Sequence, residues 1–315
     1  MDQNMYRWKR FWCQWEGKYR LTDDGFLYDP ESEPFRDMCP DVVSFQSISN
    51  NHCLILLGEP GIGKTSALNE EVKTIDSGIE ISGGRTLRID LNSVSASSDL
   101  SEKLFESQAI RDWIEGDYPL HIFLDSLDEC LLRIDNFSAI LIARLKHYPI
   151  SRLYLRIACR TADWQRLRIL ERELKNLWDK DIVGVFELLP LRRRDVSTAA
   201  KTRAIDPDVF LNEIVDRDAG PLAARPITLK FLLDTYSKDK KIPYGKIALY
   251  YEGCQLLCKE PNEYRKESGH TGRLSWDQRI IVAARIAAMT IFSKKDVIIY
   301  VDNASIKNNG TCLAG

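Results

Sequence analysis

The sequence has no CxxC pair and no histidine at zinc-finger spacing, so its eight cysteines, at positions 13, 39, 53, 130, 159, 254, 258 and 312, do not outline a zinc module. They are expected as reduced thiols. Cys254 and Cys258 lie four apart in a helical pattern, but two thiols without further ligands make a poor metal site, and packing in a core is the expectation for both. A second absence is net charge: 44 Lys plus Arg stand against 46 Asp plus Glu, giving -2. Bulk electrostatics therefore demand neither nucleic acid nor anionic lipid. A third is a long apolar run. No segment approaches bilayer length, and the opening MDQNMYRWKRFWCQWEGKYR lacks the apolar stretch of a signal peptide. The expectation is a cytoplasmic protein with no membrane partner, in which the N-x-S/T matches at Asn136, Asn303 and Asn309 are chance. Internal repeats and low-complexity tracts are also missing, and the final NNGTCLAG reads as a loop or frayed end.

What is present is a rhythm. Five short apolar segments, HCLILL (52–57), TLRIDL (86–91), LHIFLD (120–125), LYLRIA (153–158) and VGVFEL (183–188), alternate with longer helical patterns. This predicts an α/β fold, a parallel sheet with helices on both faces. From about Val196 the apolar residues recur at three and four, as in helices alone, with Pro207, Pro221, Pro226, Pro243 and Pro261 between or at the starts of the helical segments. The boundaries expected are a lead-in at 1–50, a nucleotide domain at 51–195, a helical domain at 196–242 and a further region at 243–315. The aromatic and basic lead-in is expected to pack as an amphipathic helix against the nucleotide domain.

The sharpest motif is Gly58, Glu59, Pro60, Gly61, Ile62, Gly63, Lys64 and Thr65, which satisfies G-x-x-x-x-G-K-[ST] after a strand and before a helix. Glycines let backbone N–H groups curve around phosphate oxygens. Lys64 adds a mobile charge for the β and γ phosphates, the Thr65 hydroxyl can join the coordination of Mg²⁺, and the helix from Ser66 brings its positive end. ATP or ADP with Mg²⁺ is the ligand set expected. In LHIFLDSLDEC, Asp125 closes a strand at the end where ligands of parallel sheets collect, and is the expected second metal group. The residue after it is Ser126, and the next acids are Asp128 and Glu129.

A strand ending in Asp, a small residue and then an acidic pair resembles the NACHT group of STAND NTPases, signal-transducing ATPases that include innate immune receptors. The family pattern hhhhDGhDE stands here as IFLDSLDE, with serine for glycine. The resemblance covers about residues 50–290. It implies a P-loop NTPase sheet of the strand-inserted ASCE type, a helical domain and the start of a winged-helix domain. It implies that Arg160, in YLRIACRTADW, senses the γ-phosphate, and that Pro226, in AARPITLKFLLDTY, lies beside the base, with Pro221 as the alternative. The family's winged-helix histidine has no evident counterpart, since His270 sits in a polar ESGHTG loop. Asp128 and Glu129 are candidates to orient the attacking water, with Glu129 favoured on the ground that paired acids raise one pKa. No arginine finger is evident, so slow hydrolysis is expected.

The function that follows is a signalling ATPase whose ATP-bound form becomes a homo-oligomer, in bacterial antiviral defence or related signal transduction. Its trigger is left open between a viral protein and a nucleic acid. The alternatives are a nucleic-acid motor tracking phosphates along Leu191–Arg194 and Arg166–Arg172, and a scaffold that binds ATP without cleaving it.

Overall fold

The computed structural model describes residues 8–77, 84–130, 132, 134–178, 182–242, 246–258 and 274–293. Its centre is a seven-stranded sheet in the order β2-β1-β7-β3-β6-β5-β4. The strands are β1 (Phe11–Gln14), β2 (Val42–Ser44), β3 (Cys53–Leu57), β4 (Arg85–Asp90), β5 (Leu120–Asp125), β6 (Leu153–Cys159) and β7 (Val183–Leu188). The five expected apolar segments are β3 to β7, and all pair in parallel. β6 lies between β3, which leads into the glycine loop, and β5, which ends in Asp125. That inserted strand identifies the α/β fold as the strand-inserted P-loop NTPase kind.

β3 and β5 are buried at every position, as strands covered on both faces must be. Alternate residues of β3 serve opposite cores. Cys53, Ile55 and Leu57 join one cluster with Ile110 and Trp113 of α2 (Gln108–Glu115), Phe137 and Leu141 of α3 (Ile134–Leu145) and Leu170 and Leu174 of α4 (Arg168–Leu177). Leu54 and Leu56 join another with Leu68 and Ile75 of α1 (Lys64–Asp76).

The lead-in departs from expectation. Instead of an amphipathic helix it supplies β1, which adds antiparallel to the free edge of β7, and β2, which adds antiparallel to β1, with Trp12 opposite Leu188 and Val43. The segment FWCQ buries its first three residues, Trp12 on the α1 face and Phe11 and Cys13 in a small cluster with Leu27, Cys39 and Leu189. A strand covering an open sheet edge satisfies the backbone groups that an edge otherwise exposes.

Helices follow β7, as the periodicity predicts: α5 (Arg193–Thr202), α6 (Pro207–Asp216), α7 (Pro226–Asp239) and α8 (Lys246–Cys258). Pro207 and Pro226 open α6 and α7, and Pro221 lies in the first turn of a one-turn helix at Gly220–Ala223. α5 to α7 share a core of Val196, Phe210, Ile214, Leu229 and Leu233 with Phe26 of the lead-in. Pro243, Pro261, His270 and the last sequon positions lie outside the described residues. From Tyr251 the chain forms a second unit, whose described parts are the rest of α8 and α9 (Trp276–Ser293). Cys254, expected in a core, is exposed, and the seven described cysteines are free. No described helix is long and apolar enough to cross a membrane.

Candidate nucleotide site

The carboxyl ends of β3, β5 and β6 meet at one edge. Leu57 pairs with Cys159, Leu124 with Ile157, and Asp125 with Asp90 at the end of β4. The loop from Gly58 to Gly63 leaves β3 here and enters α1 at Lys64. Gly61 and Gly63 have φ of 74° and 96°, in the left-handed region where a side chain is strained. A Cβ on Gly63 would also fall 2.8 Å from Arg10 Nη1. The loop is thus built as a curved backbone cradle at a helix N-terminus, a donor set suited to an oxyanion.

The residues singled out in the sequence are brought together in part. Gly58 is buried, while Glu59, Pro60, Thr65 and Ser66 are exposed and Ile62 closes the loop from within. The Lys64 ammonium folds back onto its own loop, donating to the Gly58 carbonyl and, at 3.5 Å, to that of Glu59. Burial lowers its pKa, opposed by the charge of Asp128. Pro226 packs on the loop, its Cγ 3.4 Å from where a Gly63 Cβ would stand. Pro221 instead abuts Gly25, away from the loop. Arg225 and Glu59 make a loose ion pair at 3.7 Å from α7 to the loop.

Asp125 is almost wholly buried, at 3% exposure. Its Oδ1 accepts the Ser126 N–H at 2.9 Å and its Oδ2 accepts Arg88 Nη2 at 3.1 Å. Ser126 itself has φ 59° and ψ 43°. The chain turns left-handed straight after the strand, a conformation glycine adopts freely and serine adopts at a steric cost. The turn carries Asp128 and Glu129 onto Arg160, which directly follows β6. Arg160 Nε lies 2.7 Å from Asp128 Oδ2, its Nη2 2.6 Å from Glu129 Oε1, and its backbone N–H donates to Asp128 Oδ1 at 2.9 Å. Asp128 is held above the usual carboxylate range by burial, against the pull of Arg160 and Lys64. Cys159 beside them is pushed up to about 12 by burial and then by Asp128, which leaves it an inert thiol.

Three residues not singled out in the sequence belong to this edge. Arg88 holds Asp125 and also donates to Asn69 Oδ1 on α1. Asp90, exposed itself, sits opposite Asp125, with its carboxyl raised by partial desolvation and by the charge of Asp125. Arg10 of the lead-in donates at 2.7 Å to the carbonyls of Ile62 and Leu189, tying the glycine loop to the segment after β7. The only local sign of the first two was a pair of charges two apart in TLRIDL.

The basic run at Leu191–Arg194 is not a phosphate track. Leu191 is core, and Arg192, at 2% exposure, is shared by Asp29, Glu31 and Asp195. Arg193 pairs with Asp24, and Arg194 with Asp29 and Glu31. In the second patch, Arg168 faces Glu16 and Glu171, Arg172 faces Glu173, and the Arg166 side chain lies outside the described set.

No family model and no curated protein matches the chain. Solved structures similar to it include the Aeropyrum pernix ORC2 protein in ADPNP–ADP complexes, at 13% identity and TM-score 0.42 over 79% of this chain and 71% of that one. Others are a Walker-type ATPase of Pyrococcus abyssi, at 13% and 0.42 over 80% and 79%, and domain III of the Thermotoga maritima replication initiation protein DnaA, at 14% and 0.43 over 74% and 98%. At these values each is a likeness of coarse shape, and the fold assignment rests on strand order and loop geometry.

Proposed function

We propose that this chain is a nucleotide-dependent signalling switch of the NACHT-like STAND kind, which binds ATP or ADP with Mg²⁺, hydrolyses ATP slowly and couples its nucleotide state to homo-oligomerisation. The observation that carries the reading is Arg160, anchored at the end of the inserted strand and engaged with both Asp128 and Glu129 beside the glycine loop. Backbone N–H groups from Gly61 to Ser66 cradle the phosphates, and Lys64 leaves the Gly58 carbonyl for the β and γ oxygens. Pro226, against Gly63, flanks the nucleotide from α7. Thr65 and Asp125 are the hydroxyl and carboxylate that would hold Mg²⁺, a hard cation suited to oxygen donors and retained waters, which neutralises phosphate charge when bound.

Arg160 reads the terminal phosphoryl group. A γ-phosphate competes with Asp128 and Glu129 for the guanidinium, and release of the acids frees a carboxylate to orient water. With ADP the guanidinium returns to the acids. Oligomerisation, a place in bacterial antiviral defence, and a viral protein or nucleic acid as trigger follow from the resemblance in GEPGIGKT and IFLDSLDE alone. The engagement of Arg192, Arg193 and Arg194 by acids of the lead-in weighs against the motor reading.

Calorimetry with ATP and ADP tests the binding half: wild type binds both and Lys64→Ala binds neither. Unchanged affinity in Lys64→Ala would falsify it. Light scattering with a non-hydrolysable ATP analogue tests the oligomer half.

A further inference from the structure

Arg88 sits third from the end of β4, the outer strand of the sheet, in register with Phe123 of β5. Its side chain reaches past its own strand to two neighbours. Nη2 lies 3.1 Å from Oδ2 of the buried Asp125, and Nη1 donates to Asn69 Oδ1. Asn69 is four residues after Thr65 on α1, so the two lie one above the other on the same helix face. The guanidinium therefore bridges the carboxylate at the end of β5 to the turn of α1 just beyond the hydroxyl that would share a metal ion with it. One Asp125 oxygen is given to the backbone N–H of Ser126 and the other to Arg88. Asp90, opposite Asp125, is the nearest acid in register, and Arg88 lies two residues before it on the same strand. Among the described residues no group of three or more His, Cys, Asp or Glu is arranged to hold a metal ion, and of the neighbouring acids Asp128 and Glu129 are engaged by Arg160, while Asp90 shares the field of Arg88.

Given the phosphate-site reading above, on which this rests, we infer that Arg88 is a built-in counter-cation of Asp125 that competes with the divalent metal, so that nucleoside phosphate is held with little dependence on Mg²⁺ and a metal ion gains Asp125 only when Arg88 gives up Oδ2. The physical reason is charge. A guanidinium presents a fixed positive fork to the carboxylate, and a divalent ion seeking the same oxygens meets its repulsion, with the Arg88 side chain 33% exposed and that of Asp125 only 4%. The same guanidinium supplies part of the positive field that a metal ion otherwise brings to phosphate oxygens.

The test uses the whole chain and two probes. Mn²⁺ binding, followed by electron paramagnetic resonance without nucleotide, reads the competition directly. Arg88→Gln is expected to bind Mn²⁺ at least about tenfold more tightly than wild type, a loss of repulsion of roughly 1.4 kcal/mol. Arg88→Lys keeps the charge and stays near wild type, and Arg88→Gln combined with Asp125→Asn loses the gain. Calorimetry with ADP then compares EDTA with Mg²⁺: wild type changes less than about threefold, and Arg88→Gln becomes Mg²⁺-dependent. Equal Mn²⁺ binding by wild type and a folded Arg88→Gln overturns the inference, as does a wild type that needs Mg²⁺ for ADP. A wild type that binds no nucleotide in either buffer overturns the phosphate-site reading instead, and leaves the Mn²⁺ comparison to decide the competition.

Discussion

Arg160 meets the Asp128 carboxylate twice, with its Nε 2.7 Å from Oδ2 and its backbone N–H donating to Oδ1 at 2.9 Å. The two contacts differ in kind. The backbone bond fixes the turn after β5 to the end of β6 and persists whatever the side chain does, whereas the guanidinium can rotate away.

Arg160→Ala therefore keeps the turn and removes the sensor. Asp128, with a side chain only 5% exposed, keeps the backbone bond but loses its charged partner, and a cost of about 1–3 kcal/mol is expected. Adding Asp128→Asn recovers most of that loss, because the amide carries no charge to leave unpaired. Urea titration of the single and double variants measures the coupling, and additive losses would show that the pair contributes nothing. In the same variants the preference for ATP over ADP is expected to fall several-fold.

Ser126 pays for its left-handed conformation. Ser126→Gly is expected to stabilise the chain by about 1 kcal/mol, and Ser126→Val to destabilise it by more than that, since a β-branched residue is worst at positive φ. Thermal melts check both. A destabilised glycine variant would mean that the Ser126 side chain has a role outweighing the strain.

His121 gives the stability a slope with pH. It is 4% exposed, both ring nitrogens are buried without a hydrogen-bond partner, and it stacks on Tyr154 at 4.6 Å, with His52 on the same tyrosine. Burial, and then Arg156, lowers its pKa to about 4. The unfolded chain thus takes up a proton near pH 6.5 that the folded chain refuses until about pH 4, so stability falls as pH drops through that window, by up to roughly 3 kcal/mol. His121→Phe retains the stack and flattens the slope. Denaturation midpoints between pH 7.5 and 4.5 follow from this, and an unchanged slope in the variant would rule out His121 as its source.

Arg192 is the most heavily committed cation described, buried among Asp29, Glu31 and Asp195, and its pKa is raised by these acids against the penalty of burial. Arg192→Leu leaves the buried Asp195 without its ion-pair partner, while Asp29 and Glu31 keep Arg194, and is expected to cost about 3–5 kcal/mol. The loss should loosen the 20–31 segment first, so proteolysis within it reports the effect before global unfolding does.

Much of the sheet was legible because β3, β5 and β6 are apolar runs closed by Gly58, Asp125 and Arg160, and because strands buried on both faces need no alternation to be seen. The glycine loop was legible because its chemistry is local. β1 was not, because four residues, FWCQ, acquire a strand's identity only from β7. An aromatic and basic segment suits an amphipathic helix equally well until that partner is known. Arg88 was hidden for a similar reason: in TLRIDL it reads as the solvated face of an outer strand, and only its 37-residue reach to Asp125 gives it a role. The acids at 128 and 129 were visible as a pair, but their shared engagement by Arg160 is a property of the folded turn.

The closure of β7 by β1 also sets an order of events during synthesis. Arg10 and Leu189 are bonded across 179 positions, and β3, needed for the glycine loop, is flanked by β6 and β7. A nascent chain cannot complete this sheet until β7 has emerged, so β3 waits for β6 and β7 to gain its two neighbours, whereas Trp12 meets Val43 and Phe45 earlier.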